Sequence, residues 1–244
     1  MGIFDIFKKN KDNKNGIEKE SKSASNKEFE KTLRLDLSDE VNDLEAPGWD
    51  AITQEFDRIY PGQDNPKHFG TFVKWMFGGN NPLDGISIYD GGDFWHFVSY
   101  GMTELYEKES QNLENSGYGY ELTFKLKKDD YVDEEYEIRN ICGIMQNIAR
   151  QVFLNDEVYK PYEFIEYSKN QGVDAKHQSK ITGFICVPDS SIRTLDTDYG
   201  KVEFLELVGV TDDELTSLND YCNVKDLYIR LGSDITDYNR KSLL

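Results

Sequence analysis

One stretch of the sequence, residues 72–106, constrains the fold more than any other. It reads FVKWMFGGNNPLDGISIYDGGDFWHFVSYGMTELY and alternates apolar runs with turns made of Gly, Asn, Pro and Asp. Residues 86–89 and 94–100 predict two strands, and the DGGD sequence at 90–93 predicts the tight turn of a hairpin between them. We therefore expect an aromatic-rich hairpin at the centre of a sheet on which the other elements pack.

The same stretch contains two of the three tryptophans, Trp75 and Trp95, and we expect both to be largely buried. Residues 70–77 predict a further strand. The FGGNNP sequence at 77–82 predicts a turn, because Gly and Asn tolerate positive φ and Pro biases the residue before it away from helix. Asp84 follows this turn and precedes a strand, so its expected role is to cap the turn.

The remaining sequence interleaves helical and strand patterns. The predicted helices cover 48–60, 103–110 and 134–155, and the predicted strands cover 121–126, 183–187 and 202–210. The TDDE sequence at 211–214 predicts a capping box that opens another helix. Because the strands and helices show no strict βαβ repeat, we expect an α+β fold, a mixed β-sheet with packed helices.

Composition divides the chain into three predicted parts. Residues 1–31 form a flexible polar tail, residues 32–46 a lead-in, and residues 47–244 a folded domain with enough length for a core. The first 35 residues carry 9 Lys/Arg and 6 Asp/Glu of the 28 and 46 in the chain, so the remainder carries 19 and 40, a net charge of −21. This charge argues against nucleic acid or an anionic membrane as the main partner and would attract a basic protein, although it could also serve solubility alone.

The cysteines and the length of the apolar runs favour a cytoplasmic location. Cys142, Cys186 and Cys222 are far apart and form no CxxC pair, which favours buried thiols in a reduced, cytoplasmic protein. No apolar run approaches the ~20 residues that a membrane span requires. The first nine residues lack the pattern of a signal peptide.

We find no motif typical of an enzyme. The three histidines, His68, His96 and His177, lie in separate segments and none has a second metal ligand at helical spacing. His96 lies between Trp95 and Phe97 in a strand, so its side chain points to the opposite face; it could be a ligand or base, but a hydrogen-bonded structural role is favoured. Paired acids are typical of a solvated face: 129–130, 134–135 and 212–213. We therefore predict no enzyme activity, no cofactor, and no catalytic, cofactor-binding or metal-binding residue.

Six separated blocks, in one order, resemble the Suppressor of fused (SUFU) family. They are PGWDAI at 47–52, YPGQ at 60–63, GGNNPLDGISIY at 78–89 with WHFVSYGMTELY at 95–106, SGYGYELTFKL at 116–126, VEFLELVGVTDDEL at 202–215, and DITDYNRK at 234–241. The resemblance covers about residues 47–244. It implies the fold of the family's N-terminal domain and identifies the chain as similar to its bacterial single-domain type.

The resemblance also implies a function. In animals, SUFU proteins have two domains and clamp an extended peptide of a transcription factor, with affinity from strand addition. The Tyr and Asp with which the N-terminal domain grips that peptide align with Gln151 and Glu163, so that role does not transfer. Bacterial single-domain relatives are associated with toxin neutralisation. The expected function is thus an immunity protein that binds a basic toxin domain stoichiometrically; the alternative is a scaffolding or regulatory protein that sequesters another partner.

Overall fold

The computed structural model describes residues 45–129, 133–220 and 222–244, apart from the side chains of Met76 and Asp220. Ala46–Leu244 form one compact unit. The elements in chain order are α1 (Pro47–Ile59), β1 (Lys67–Gly70), a 3-10 helix (Trp75–Phe77), β2 (Gly85–Asp90), β3 (Phe94–Tyr100), β4 (Asn115–Lys127), α2 (Glu134–Asn155), β5 (Phe164–Glu166), β6 (Ile181–Pro188), β7 (Leu195–Thr197), β8 (Gly200–Thr211), α3 (Asp212–Asp220) and α4 (Val224–Leu231). The predicted tail and nearly all of the predicted lead-in lie outside the described residues, so the division into tail, lead-in and domain stays a prediction.

One mixed sheet carries all the strands of the described chain. Its order is β1-β2-β3-β4-β8-β6-β5, and β7 pairs with β8. The pair β4–β8 is parallel and the other pairs are antiparallel. The predicted α+β class, with a mixed sheet and packed helices, is confirmed. Strands β1 and β5 end the order, so within the described chain each has one edge without a neighbouring strand.

Each face of the sheet has its own core, because alternate residues of a strand point to opposite faces. On one face α2 packs Ile148 and its apolar neighbours against Phe124 and other residues of the central strands. On the opposite face, one cluster joins Phe56 of α1 to Tyr89, and a second contains Leu227 of α4. None of the helices in the described part of the chain has the length and apolar character that crossing a bilayer requires.

The central hairpin and the longer periodic elements are confirmed. Strands β2 and β3 pair across the predicted turn, where Gly92 has φ of 86° and its N–H donates to Asp90 Oδ1 at 2.8 Å. The capping box is half formed: Glu214 Oε2 accepts from Thr211 N at 2.9 Å, while the Thr211 hydroxyl contacts Ser242 Oγ at 3.3 Å.

The helix predicted over 103–110 is wrong. Two carboxylates bind backbone N–H groups of this segment, and in a helix over 103–110 the N–H groups of residues 109 and 110 would donate to carbonyls four residues earlier. Glu121 Oε1 accepts from Thr103 N at 3.0 Å, and Glu104 Oε1 accepts from Glu109 N at 2.8 Å and from Ser110 N at 2.5 Å. The Glu104 carboxylate therefore competes with a helix for these donors, while Glu121 holds the start of the segment in place.

The strand predicted over 70–77 is also wrong. Strand β1 ends at Gly70, and the chain continues as a loop that closes with the 3-10 helix and with Gly78 in the left-handed region. We call residues 71–79 the aromatic loop. Asp84 does not cap the turn with its carboxylate; instead, Asp84 Oδ2 lies 3.3 Å from Lys74 Nζ and accepts from Tyr106 Oη at 2.9 Å.

Trp75 and Trp95 are half-buried rather than largely buried. Trp75 belongs to the 3-10 helix and packs edge-on against Phe153, with ring centroids 5.6 Å apart. The ring of Trp95 lies between two ammonium groups, with Lys67 Nζ at 4.5 Å and Lys128 Nζ at 4.0 Å from its centroid. Both rings therefore lie at the margin of the core. Of the cysteines, Cys142 and Cys186 are buried as expected, but Cys222 is only half-buried.

Candidate protein-binding cleft

A cleft lies where the C-terminal end of α2 and the segment before β5 meet the first residues of β4 and β8. It consists of two adjoining cavities of about 410 and about 600 Å3, which share Val158, Tyr159 and Lys160. We call it the α2–β5 cleft. Both Gln151 and Glu163 line the smaller cavity, so the structure brings together the two positions that the resemblance singled out.

Two turns with unusual backbone conformation shape the α2–β5 cleft. Asp156 ends α2 with φ of 56°, and its N–H donates to Val152 O at 2.8 Å. Tyr162 has φ of 70°, and its N–H donates to Cys186 O at 2.7 Å. Positive φ is uncommon for residues other than glycine, so these two turns need support from the surrounding structure.

The parting of two strands forms the other wall. The β4–β8 register shifts between Asn115 and Tyr120, where Gly117 and Gly119 both have positive φ. Tyr120 Oη accepts from Tyr159 N at 3.3 Å and so ties this wall to the segment that leads into β5. The open edge of β5 begins directly after Glu163.

The side chains at the α2–β5 cleft suit recognition. Gln151 and Glu163 are exposed; Glu163 Oε2 accepts from Lys160 N at 2.9 Å, which fixes the turn before β5. Burial raises the pKa of Tyr159, so its hydroxyl stays neutral at physiological pH. Burial also raises the pKa of the nearby Cys186 thiol to about 12, which leaves it protonated and a poor nucleophile. The cleft offers aromatic surface, an amide and a carboxylate to a partner.

A second polar group of residues lies between the sheet and its covering segments, and all of its members except the partly exposed Asp234 are buried. Lys125 Nζ contacts Asp189 Oδ1 at 2.9 Å, Glu206 Oε2 at 2.9 Å and Asp234 Oδ2 at 2.8 Å. His96 Nε2 lies 3.0 Å from Asp189 Oδ2. We call these five residues the Lys125 cluster.

Charge and burial compete in the Lys125 cluster. Burial alone would lower the pKa of Lys125, but Glu206 and Asp189 raise it above its ordinary value. Burial would raise the pKa of Asp189, but the hydrogen bond from His96 and the charge of Lys125 hold it below its usual range. Burial and the charge of Asp189 raise the pKa of Glu206 well above its ordinary value. One ammonium and one ionised aspartate thus form the centre of the Lys125 cluster.

The three carboxylates of the Lys125 cluster are close enough to hold a metal ion, since their oxygens lie within 4.8 Å of one another. The Lys125 ammonium, however, contacts all three and takes the place that a cation would need. The prediction that the chain has no catalytic, cofactor-binding or metal-binding residue stays a prediction.

The histidines do not form a common site. His96 is fully buried; Tyr60 Oη lies 2.7 Å from its Nδ1, and Asp189 contacts its other ring nitrogen, so the predicted hydrogen bonding of this residue is confirmed. His68 Nδ1 lies 3.0 Å from Ser87 Oγ, and His177 Nδ1 lies 2.9 Å from Gly172 O. Burial lowers the pKa of His96 despite the neighbouring aspartate, which favours a neutral ring.

The acidic pairs mostly lie on the surface as predicted. Glu134 and Glu135 are exposed, and so are Asp212 and Asp213. Asp130 lies outside the described residues. The Lys125 cluster was not predicted from the sequence, because its members come from five separate segments. The one available signal was Glu206, a charged residue in the middle of the apolar run VEFLELVGV.

The sequence relationship decides the family. The model of the Suppressor of fused protein (SUFU) family matches residues 79–241. The chain belongs to the Suppressor of fused family. It is similar to the Suppressor of fused homologs of Homo sapiens and Mus musculus, each 31% identical over 183 residues. The match covers 70% of this chain and 37% of each relative, so the chain matches little more than a third of the length of these SUFU proteins.

Solved structures agree with this relationship. A crystal structure of the Sufu–Fu complex contains a chain with a TM-score of 0.70 and 26% identity, with 81% of this chain and 92% of that chain covered. The crystal structure of Drosophila Suppressor of Fused has a TM-score of 0.69 and 27% identity, with 81% of this chain and 51% of that chain covered. A SUFU homologue from Neisseria gonorrhoeae FA 1090, with a TM-score of 0.52 and 15% identity over 80% of this chain and 96% of that chain, shares the fold.

Proposed function

We propose that this SUFU-family chain is a non-enzymatic protein-binding module whose partner contacts the α2–β5 cleft. The observation that supports this best is the position of Gln151 and Glu163, which line one cavity beside the open edge of β5. An open strand edge offers backbone donors and acceptors to an added strand, and side-chain pockets beside it supply selectivity.

The described polar groups support binding rather than catalysis. The Cys142 and Cys186 thiols are buried, and burial raises the pKa of each to about 12. His96 is enclosed between Tyr60 and Asp189, where no substrate can reach it. A nucleophile or general base must instead meet its substrate and titrate near the working pH.

Within this class, the function we favour is that of an immunity protein, which neutralises a toxin domain by stoichiometric binding in the cytoplasm. The net charge of −18 supports it, because a strongly acidic protein attracts a basic partner and accelerates the encounter. Many toxin domains that act on nucleic acid are basic. The expected partner is therefore a basic toxin domain.

A scaffolding or regulatory function is the second candidate. The relative in the Sufu–Fu complex, which covers 81% of this chain at a TM-score of 0.70, is bound to another protein. A SUFU domain of this kind would sequester a partner that is not toxic.

Capture of the partner by the full-length protein from its native host tests the proposal. We expect one identified protein, with an association rate that falls steeply with salt and a dissociation rate that changes less. Gln151→Arg should weaken binding at least tenfold. Gln178→Arg is the matched control, since it adds the same charge at an exposed glutamine outside the α2–β5 cleft and should leave affinity close to wild type.

Co-expression separates the two candidates. If the captured protein arrests growth when expressed alone and the SUFU chain restores growth, the immunity function is supported. A captured protein without toxicity would support the scaffolding function instead. Equal loss of binding in Gln151→Arg and Gln178→Arg, or turnover of a substrate by the purified chain, would overturn the proposal.

A further inference from the structure

The aromatic loop reverses the usual arrangement of apolar and charged side chains. Phe72 is 92% exposed and Phe77 is 71% exposed, and Val73 between them is 47% exposed. Lys74, by contrast, is turned inward with only 19% of its side chain exposed. A loop would normally place its lysine in water and its phenylalanines against the core.

The reversal is fixed by contacts on the inner side of the aromatic loop. Lys74 Nζ forms an ion pair with Asp84 and lies 3.8 Å from the centroid of the Tyr106 ring. The Lys74 ammonium also donates a hydrogen bond to the Tyr106 hydroxyl. At the start of the loop, Thr71 Oγ1 donates to Leu83 O at 2.6 Å. At its end, Gly79 N donates to Lys74 O at 3.0 Å, and a Cβ at Gly79 would lie only 1.9 Å from Val73 O. These contacts hold the phenylalanines outward.

The aromatic loop continues into the α2–β5 cleft. Trp75 packs on Phe153 with ring centroids 5.6 Å apart, and Phe153 packs on Tyr118 at 5.0 Å. Tyr118 lines the larger cavity of the cleft. Arg150, one turn from Phe153 on α2, donates from Nε to Asn80 O at 2.9 Å and fastens the segment that follows the loop. A row of half-buried rings therefore joins the exposed phenylalanines to the cleft.

The exposed area decides among the possible occupants. Phe72, Val73 and Phe77 together expose on the order of 400 Å2 of side-chain surface, judged from the 150–250 Å2 that an aromatic residue can bury. Two copies meeting through this patch alone would bury roughly 800 Å2, below the ~1,200 Å2 of a stable interface. A net charge of −18 on each copy adds repulsion, and it also disfavours an anionic membrane. A basic protein that covers both the aromatic loop and the α2–β5 cleft would bury a larger area and would be attracted by the negative charge.

We propose that the aromatic loop is a preformed anchor, whose Phe72 and Phe77 insert into an apolar pocket on the basic protein that binds the α2–β5 cleft. The inference rests on the proposed protein-binding function and extends its interface to the loop. Exposed aromatic anchors held in one conformation bind with little loss of conformational entropy, and central aromatic residues carry much of the binding free energy at interfaces.

Photo-crosslinking and affinity measurements on the full-length protein test this inference. The probe is the full chain with p-benzoylphenylalanine at position 72, irradiated in native-host lysate. We expect one identified basic protein to be crosslinked, and its affinity to fall at least about 30-fold in the Phe72→Ser/Phe77→Ser variant. Tyr136→Ser is the control, because Tyr136 is 57% exposed at the other end of α2; it should leave affinity unchanged.

Other outcomes would count against the inference or against the proposed function. A crosslinked dimer of this chain, binding to phosphatidylcholine vesicles that the double variant abolishes, or no crosslinked protein would each overturn the inference. If Gln151→Arg weakens binding but the double variant does not, the proposed function stands and the anchor does not. If only the double variant weakens binding, the aromatic loop is the contact and the cleft is not.

Discussion

The Lys125 cluster buries charged side chains, and the aromatic loop exposes apolar ones, so each has side chains in an unfavourable environment. The two regions differ because the buried charges have partners within the domain and the exposed rings do not extend the core. The Lys125 ammonium is 3% exposed and is surrounded by three carboxylates at 2.8–2.9 Å. Phe72 is 92% exposed and projects from a loop whose contacts lie on its inner side. Buried charges that are paired belong to the architecture, whereas apolar side chains held in water point to a partner.

The position of each region in the fold agrees with this difference. The Lys125 cluster lies on the sheet face that carries the α1 core and the α4 core, and it joins β3, β4 and β8 to two segments from outside them. The aromatic loop lies beyond the end of the edge strand β1. Substitutions in the first region should therefore act on stability, and substitutions in the second on binding.

The largest expected effect comes from Lys125→Met. Removal of the ammonium leaves the buried Asp189 and Glu206, with the partly exposed Asp234 beside them, without their cation, so we expect the free energy of unfolding to fall by about 3–5 kcal/mol. Urea denaturation followed by tryptophan fluorescence measures it. Lys127→Met is the matched control, because Lys127 pairs with Asp237 at the surface, and its unfolding midpoint should stay near wild type. Equal unfolding midpoints for the two variants would show that the Lys125 cluster does not contribute specially to stability, contrary to the comparison drawn above.

A smaller and pH-dependent effect is expected from Glu104→Gln. Burial would raise the pKa of Glu104, but hydrogen bonds from Lys108 and from the N–H groups of Ser110, Gly117 and Glu109 lower it from 4.5 to about 2. A lowered pKa in the folded state gives stability that is present above pH 4.5 and is lost as the pH falls towards 2. The shift corresponds to about 3 kcal/mol.

The measurement compares unfolding of wild type and Glu104→Gln between pH 7 and pH 3. The difference between their free energies of unfolding should be constant down to about pH 5 and should become smaller at lower pH. Glu107→Gln, at an exposed glutamate three residues away, should show no such narrowing. A difference that stays constant to pH 3 would mean that the carboxylate does not hold the irregular segment through charge.

The sequence predicts the elements that carry a periodic or continuous apolar pattern. Helices α1 and α2 place apolar residues on one face, and strands β2, β3, β4, β6 and β8 carry apolar runs that are largely buried on both faces. The two wrong elements fail for another reason. In 103–110 the side chain of Glu104 takes backbone donors that a helix needs, and in 70–77 the side chains of Phe72, Val73 and Phe77 are exposed. Composition reports that a residue is apolar, but not the direction in which it points.

The candidate cleft is predictable only in part. The resemblance singles out Gln151 and Glu163, and the structure places both in one cavity. The shape of that cavity depends on positive φ at Asp156 and Tyr162; aspartate is enriched in that conformation, but the residue type of Tyr162 does not indicate it. The Lys125 cluster is harder to predict, because only Glu206 lies in an apolar run, and nothing in the sequence indicates that the fold brings it to Asp189 and Asp234.

The smallest expected effect is on the stability of the Phe72→Ser/Phe77→Ser variant. The two rings are already in water, so their removal should change the free energy of unfolding by no more than about 0.5 kcal/mol each. Trp75→Ala in the same loop is the comparison: it removes the ring that packs on Phe153 and should be clearly destabilising. If the double variant loses as much stability as Trp75→Ala, the phenylalanines pack on the domain in solution, and the aromatic loop is then a structural element rather than a binding surface.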